Sequence, residues 1–198
     1  MGDKREPVNI EPSRGSLQGE VWRVAALLGA LPTAPKVGHR LQELAASFAN
    51  LRTTDDAARV KTEDQIWAIW CDHREPQAKV QMSSGVSRLA DGELEQAETI
   101  FDQIIEHYPQ WSEAWNKRAT VCFLQGRDAA SIRDIYCTLE LEPRHFGALG
   151  GFAQICMRNG TPDAALTALE RLLAVNPGAP SIAEVVARLR KNTPTTLH

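Results

Sequence analysis

Small and large residues alternate at a fixed interval through the second half of the chain. Ala97 precedes Phe101 by four residues, Ser131 precedes Ile135 and Ala165 precedes Leu169 in the same way, and each pair follows the one before at a period of 34. A separation of four puts both members on one face of a helix. The small residue then marks a close approach of two helices, and the large one fills the groove beside it. A further small residue, Gly85, Ala119 or Ala153, stands earlier in each unit at the same period.

Glycine and proline punctuate this pattern in register. Gly92, Gly126 and Gly160 share the period of 34, and Pro109, Pro143 and Pro177 each lie 17 residues after their glycine. At average glycine and proline usage, two further in-register pairs would arise by chance roughly once in 10⁵. The glycine accommodates the positive φ that ends a first helix, and the proline ends a second by withholding an amide donor. The spacing therefore predicts three helical hairpins at 78–111, 112–145 and 146–179.

The flanks carry helical stripes without that register. Ile182, Val185, Val186 and Leu189 make one apolar stripe within 181–191. This reads as a closing helix over the exposed end of a stack, within a capping helix and tail at 180–198. Residues 41–51 and 55–71 give two more helical patterns, the second presenting Val60, Ile66, Trp67 and Trp70 toward the first repeat. Pro76 is out of register with the later prolines, so 16–77 is expected to be a helical N-terminal cap region in front of the repeats. Residues 1–15 are expected to be a disordered tail.

These positions resemble the tetratricopeptide repeat, best in the middle unit through Trp115, Ala119, Gly126 and Pro143. The resemblance covers about half the chain. It departs from the pattern at Arg118, where an aliphatic residue is usual, at Ser131, and in the first unit, which has Met82 and no aromatic near its start. It implies an all-α, right-handed solenoid of three hairpins with flanking capping helices. It also implies that the first helix of each hairpin lines a concave groove. The matching positions are Lys79, Met82, Val86 and Leu89, then Glu113, Asn116, Thr120 and Phe123, then Gly147, Gly150, Gln154 and Met157. Their mixture of amides, a hydroxyl and apolar patches suits an extended or helical peptide, with Asn116 and Gln154 as backbone binders. A subclass that captures chaperone C-terminal tails uses cationic and polar side chains where Met82, Val86 and Gly151 stand here, so that partner is not expected.

Composition narrows the partners. Lysine and arginine number 22 against 25 acids, a formal net charge of −3, so no overall positive field attracts nucleic acid. The longest apolar run, 24–31, is too short to span a bilayer. The acids Asp3, Glu6, Glu11 and Glu20 that precede it do not fit a secretory signal. Cys71, Cys122, Cys137 and Cys156 lack metal-site or disulfide spacing. They read as reduced apolar fillers, which favours a cytoplasmic location.

Enzyme chemistry would need a nucleophile beside a base, or clustered metal ligands. Cys71, Asp72 and His73 adjoin in sequence, but helix neighbours point to different faces. No catalytic residue, metal or cofactor is therefore expected. His145 is placed to cap or stack, and the glycines of 147–151 mark either a shallow bay for a partner backbone or close helix packing. Two functions follow. The first is an adaptor or scaffold holding a peptide or protein segment in the groove. The alternative is a structural subunit docked in a larger assembly through its tryptophan-rich first half, where a contiguous exposed apolar patch would mark the interface.

Overall fold

The computed structural model describes residues 13, 15–36, 38–52 and 56–192, and among these the chain forms ten α-helices and no strand. The period of 34 reappears as three hairpins: α4 (Pro76–Ala90) with α5 (Leu94–His107), α6 (Ser112–Leu124) with α7 (Asp128–Leu141), and α8 (Phe146–Arg158) with α9 (Pro162–Val175). They are preceded by α1 (Leu17–Ala30), α2 (Leu41–Asn50) and α3 (Asp56–Trp70) and followed by α10 (Pro180–Asn192). The expected all-α solenoid of hairpins is the observed fold. Apart from Ser13 and Gly15, the segment 1–15 lies outside the described residues, as does 193–198.

Local chemistry sets each hairpin. Gly92, Gly126 and Gly160 sit in the turns at φ 76°, 74° and 71°, where a Cβ would be strained. The second helices end at Tyr108, Glu142 and Asn176, each just before a proline, with φ of −131°, −134° and −129°. That extended backbone is what a following proline imposes. Gly85 marks a close crossing, because a Cβ there would lie 2.7 Å from the ring of Phe101. In the middle hairpin Ser131 takes the small-residue position and donates its hydroxyl to the Ala119 carbonyl at 2.8 Å. The polar substitution thus satisfies itself without opening the interface.

The hairpins stack through their first helices, α4 on α6 and α6 on α8, and through α5 on α6 and α7 on α8. Phe101, Ile104, Ile132, Leu139, Leu149 and Phe152 are fully buried between them. On α10, Val186 and Leu189 turn into the same core as Leu169 and Leu172 of α9.

Among the described residues before the repeats, α1 and the α2–α3 pair take different places. Helix α1 lies along α7 and α9, with Val21, Val24 and Leu28 inserted in the core and Arg23 over the Tyr136 ring at 4.4 Å. It covers the second-helix side of the last two hairpins. The pair α2–α3 takes another place, along the turns that join successive hairpins, with Leu44, Phe48, Leu51, Ile66, Ile69 and Trp70 as its own small core. Apolar residues with no consensus register can bury themselves against any apolar strip of the stack, and these two segments found different ones.

Candidate functional site

Helix α3 runs along the two inter-hairpin turns and the turn from α9 to α10, in the direction opposite to the chain order of the repeats. Near its start, Glu63 accepts from the Asn176 side chain at 2.7 Å, and the Arg59 side chain lies against Gly178. At its end, the Trp70 carbonyl accepts from the Trp111 indole at 2.7 Å, and the Trp70 ring stacks on His145 with centroids 4.0 Å apart. Between them Trp67 lies edge-on to Phe146 and within 5.1 Å of the Lys117 ammonium. The helix is a strap that ties the third repeat to the junction of the first two.

Beneath the strap lies a polar cluster with a fully buried centre. Glu113 and His145 are both 0% exposed, and the His145 Nε2–H donates to Glu113 at 2.8 Å. The tautomer follows from the other ring nitrogen, Nδ1, which accepts the Ala148 amide and caps α8. Lys117 at 2.9 Å, Asn116 and the Cys71 thiol complete the contacts of Glu113. Burial alone would push the Glu113 carboxyl up, but hydrogen bonds from His145 and Lys117 and the charge of Lys117 hold it below the usual carboxylate range. Burial pushes the Cys71 thiol up to about 12, so it stays protonated and poorly nucleophilic. Cys71, Asp72 and His73 diverge: Asp72 pairs with Lys79, His39 and Arg40, while His73 lies against Tyr108 and Trp111.

The groove positions implied by the resemblance form four rows across α4, α6 and α8, and the strap divides them. The inner two rows are largely closed. Met82 is 2% exposed, Glu113 belongs to the buried cluster, and Asn116 gives its amide to Glu113. Gly147 is packed under Trp67, where a Cβ would lie 2.5 Å from the ring. Gly150 faces Leu172 of its own hairpin. Lys79 is exposed and engaged with Asp72. The expectation that Glu113 and Met82 present themselves to a partner, and that Asn116 offers a free amide, is therefore corrected by the packing of α3 and of the first hairpin.

The outer rows stay open. They comprise Val86, Thr120 and Gln154, then Leu89, Phe123 and Met157, with Val86, Gln154 and Met157 exposed and the others half-buried. Arg158 stands 4.3 Å above the Phe123 ring. A recess of about 220 Å³ between α6 and α8 is lined by Asn116, Thr120, Phe123, Gly151, Gln154 and Ile155, among others. A Cβ on Gly151 would meet only Ile135, at 3.8 Å. Of the two readings of the glycine run, close packing holds at Gly147 and an open bay at Gly151.

Sequence reasoning did not find the strap. The sequence directs Val60, Trp67 and Trp70 toward the first repeat, whereas the two tryptophans pack against His145 and Phe146 at the start of the third and Val60 stays exposed. A glycine in the first turn of α8 was the one signal that something large lies against it.

Comparison with known proteins agrees with this architecture. Family models described as tetratricopeptide repeat match residues 84–136 and 146–189. The first tetratricopeptide domain of Spaghetti (RPAP3), solved with an HSP90 peptide, superimposes with a TM-score of 0.54 at 16% identity, over 58% of this chain and 94% of that one. That likeness shows the fold. A TPR repeat-containing protein of Rhizobium etli is 31% identical over 157 residues, spanning 79% of this chain and 75% of the relative. With the hairpins, the period and this relative in agreement, the chain belongs to the tetratricopeptide repeat family, a family of protein–protein interaction modules.

Proposed function

We propose that the chain is an adaptor that holds a short peptide segment across the outer rows of its concave face, with one apolar side chain of the partner in the recess between α6 and α8. The observation that carries this reading is the contrast in one surface: the inner rows are largely closed by α3 and by hairpin packing, and the outer rows are open. A recess of this size holds one branched or aromatic side chain. Gln154 offers a free amide beside it, the group that pairs with an extended backbone. Phe123 and Met157 supply apolar and polarisable surface.

The alternative, permanent docking through the tryptophan-rich first half, has less support. Trp70 and Trp111 are 5% and 8% exposed and make their contacts within the chain.

The test is a random-peptide display selection on the wild-type chain, with selected peptides then measured against a Phe123→Ser, Gln154→Ala double variant. The expected result is a common motif with one large apolar residue, bound at least tenfold more weakly by the variant while helicity is unchanged. Equal affinity for both proteins would sink the groove assignment.

A further inference from the structure

A second concavity, of about 480 Å³, lies away from the groove, between the α2–α3 pair and the turn from α5 to α6. Its volume falls within the range of small-molecule sites, about 300–1,000 Å³. One side is aromatic: Trp70, His73, Tyr108 and Trp111 all line it, and the His73 ring packs at 4.5 Å from Tyr108 and 4.7 Å from Trp111. This wall suits a planar, apolar body.

The hydrogen-bonding groups of the cavity are lopsided. Its two acids are already satisfied. Asp72 accepts from Lys79, His39 and Arg40, and Glu142 holds Arg144 through both oxygens at 2.8 and 2.9 Å. The Trp111 indole and His39 are also engaged, with the Trp70 carbonyl and Asp72, but other donors are free. Among the described residues Arg74 makes no hydrogen bond or ion pair, although it lines the cavity. His73 accepts the Glu75 amide on Nδ1, so its neutral ring carries the proton on Nε2 as a donor. Desolvation lowers the His73 pKa and favours that neutral form. Ser112, the first residue of α6, also lines the cavity, and Trp111 before it supplies no side-chain cap to the amides of that helix start. Trp70, 5% exposed, has a buried indole N–H with no acceptor.

We propose that this cavity binds a carboxylate carried on an aromatic body, the ring against His73, Tyr108 and Trp111 and the carboxylate toward Arg74 and the start of α6. Guanidinium and helix-start amides are the groups that recognise a carboxylate. The site is independent of the groove, so it can succeed or fail separately from the adaptor reading. A free arylacetate and the C-terminal aromatic residue of a peptide offer the same chemistry.

The experiment uses the full chain labelled with ¹⁵N, following the indole N–H resonances of its five tryptophans during titration with phenylacetate, with the neutral phenylacetamide, and with Gly-Gly-Phe bearing a free or amidated C-terminus. The expected result is a shift of the Trp70 and Trp111 resonances by phenylacetate, with a Kd of about 1 mM, as suits so small a ligand. Phenylacetamide should bind at least tenfold more weakly. Arg74→Ala should lose tenfold and Arg74→Lys should recover part of it, while Gln154→Ala binds phenylacetate like the wild type. Tighter binding of free Gly-Gly-Phe than of phenylacetate identifies a peptide terminus as the natural source, and the reverse identifies a small molecule. No shift with about 10 mM phenylacetate, equal binding of the amide, or an unchanged Arg74→Ala protein overturns the proposal.

Discussion

The inner and outer rows of the concave face occupy equivalent positions on the same three helices, yet they are put to opposite uses. In the inner rows Gly147 packs under Trp67 of α3, and Glu113 and Asn116 bond within the cluster buried beneath it, so the surface becomes interior. In the outer rows Val86, Thr120, Phe123, Gln154 and Met157 meet solvent. A repeat position fixes which way a side chain points but not what it will touch. In this protein the packing of α3 and of the hairpins decides that, and the outer half is left to solvent.

The comparison can be broken most forcefully at the buried cluster. Glu113→Gln leaves the Lys117 ammonium, only one-fifth exposed, without its counter-charge and weakens the acceptor of His145, and removing one partner of a buried pair costs up to about 3–5 kcal/mol. Urea midpoints at pH 7 should show that loss. The pH dependence follows from the depressed carboxyl of Glu113. A depressed folded-state pKa contributes stability above the ordinary value of about 4.3, and this contribution is lost as pH falls below it. The gap between wild type and variant should therefore narrow under acid, and a gap that stays constant down to about pH 2 would contradict the assignment of Glu113 as the charged member.

Two glycines on one helix sharpen the comparison. Gly147→Ala forces a methyl into the Trp67 ring and should cost about 1–3 kcal/mol, the range for overpacking. Gly151→Ala meets no close atom and should gain up to about 1 kcal/mol from helix propensity. The gain should come with weaker peptide binding, because the methyl fills the recess. Thermal melts of the two variants read the first difference, and peptide titration reads the second. A reversal of the two signs, with Gly147→Ala stabilising and Gly151→Ala destabilising, would place the strap on the wrong row.

The smallest stability effect belongs to the outer surface. Gln154→Ala should stay within about 0.5 kcal/mol of the wild type, as exposed positions do. Its effect should appear only in peptide affinity, and a large loss of stability would mean that Gln154 is part of the packing.

The hairpins could be read from the sequence because their determinants are local. Gly92, Gly126 and Gly160 act within their own turns, and Ala97 with Phe101 or Ala165 with Leu169 act within one helix face. The direction of each first helix was also legible, so Val86, Thr120, Phe123, Gln154 and Met157 sit on the face where the repeat register puts them. What closed the inner rows was not local. Trp70 bonds Trp111 at a separation of 41 residues, and Glu63 bonds Asn176 at 113. Neither α1 nor α3 carries the repeat register that would have fixed its docking place. His145 was legible as a capping or stacking residue and does both, against Ala148 and Trp70. Its buried bond to Glu113 required knowing that the turn before α8 folds over the start of α6.

The most direct test of the central claim, that α3 is docked over the inner rows while the outer rows are free, is hydroxyl-radical footprinting of the intact chain with residue-level mass spectrometry. The tryptophans and methionines provide matched reporters of equal chemistry. Trp22 is 47% exposed against 5% for Trp70, and Met157 is 43% exposed against 2% for Met82. The account predicts rapid oxidation of Trp22 and Met157 and slow oxidation of Trp70, Trp111 and Met82. Oxidation of Trp70 and Trp111 at the rate of Trp22 would show that the strap is not seated, and the division of the groove would fall with it.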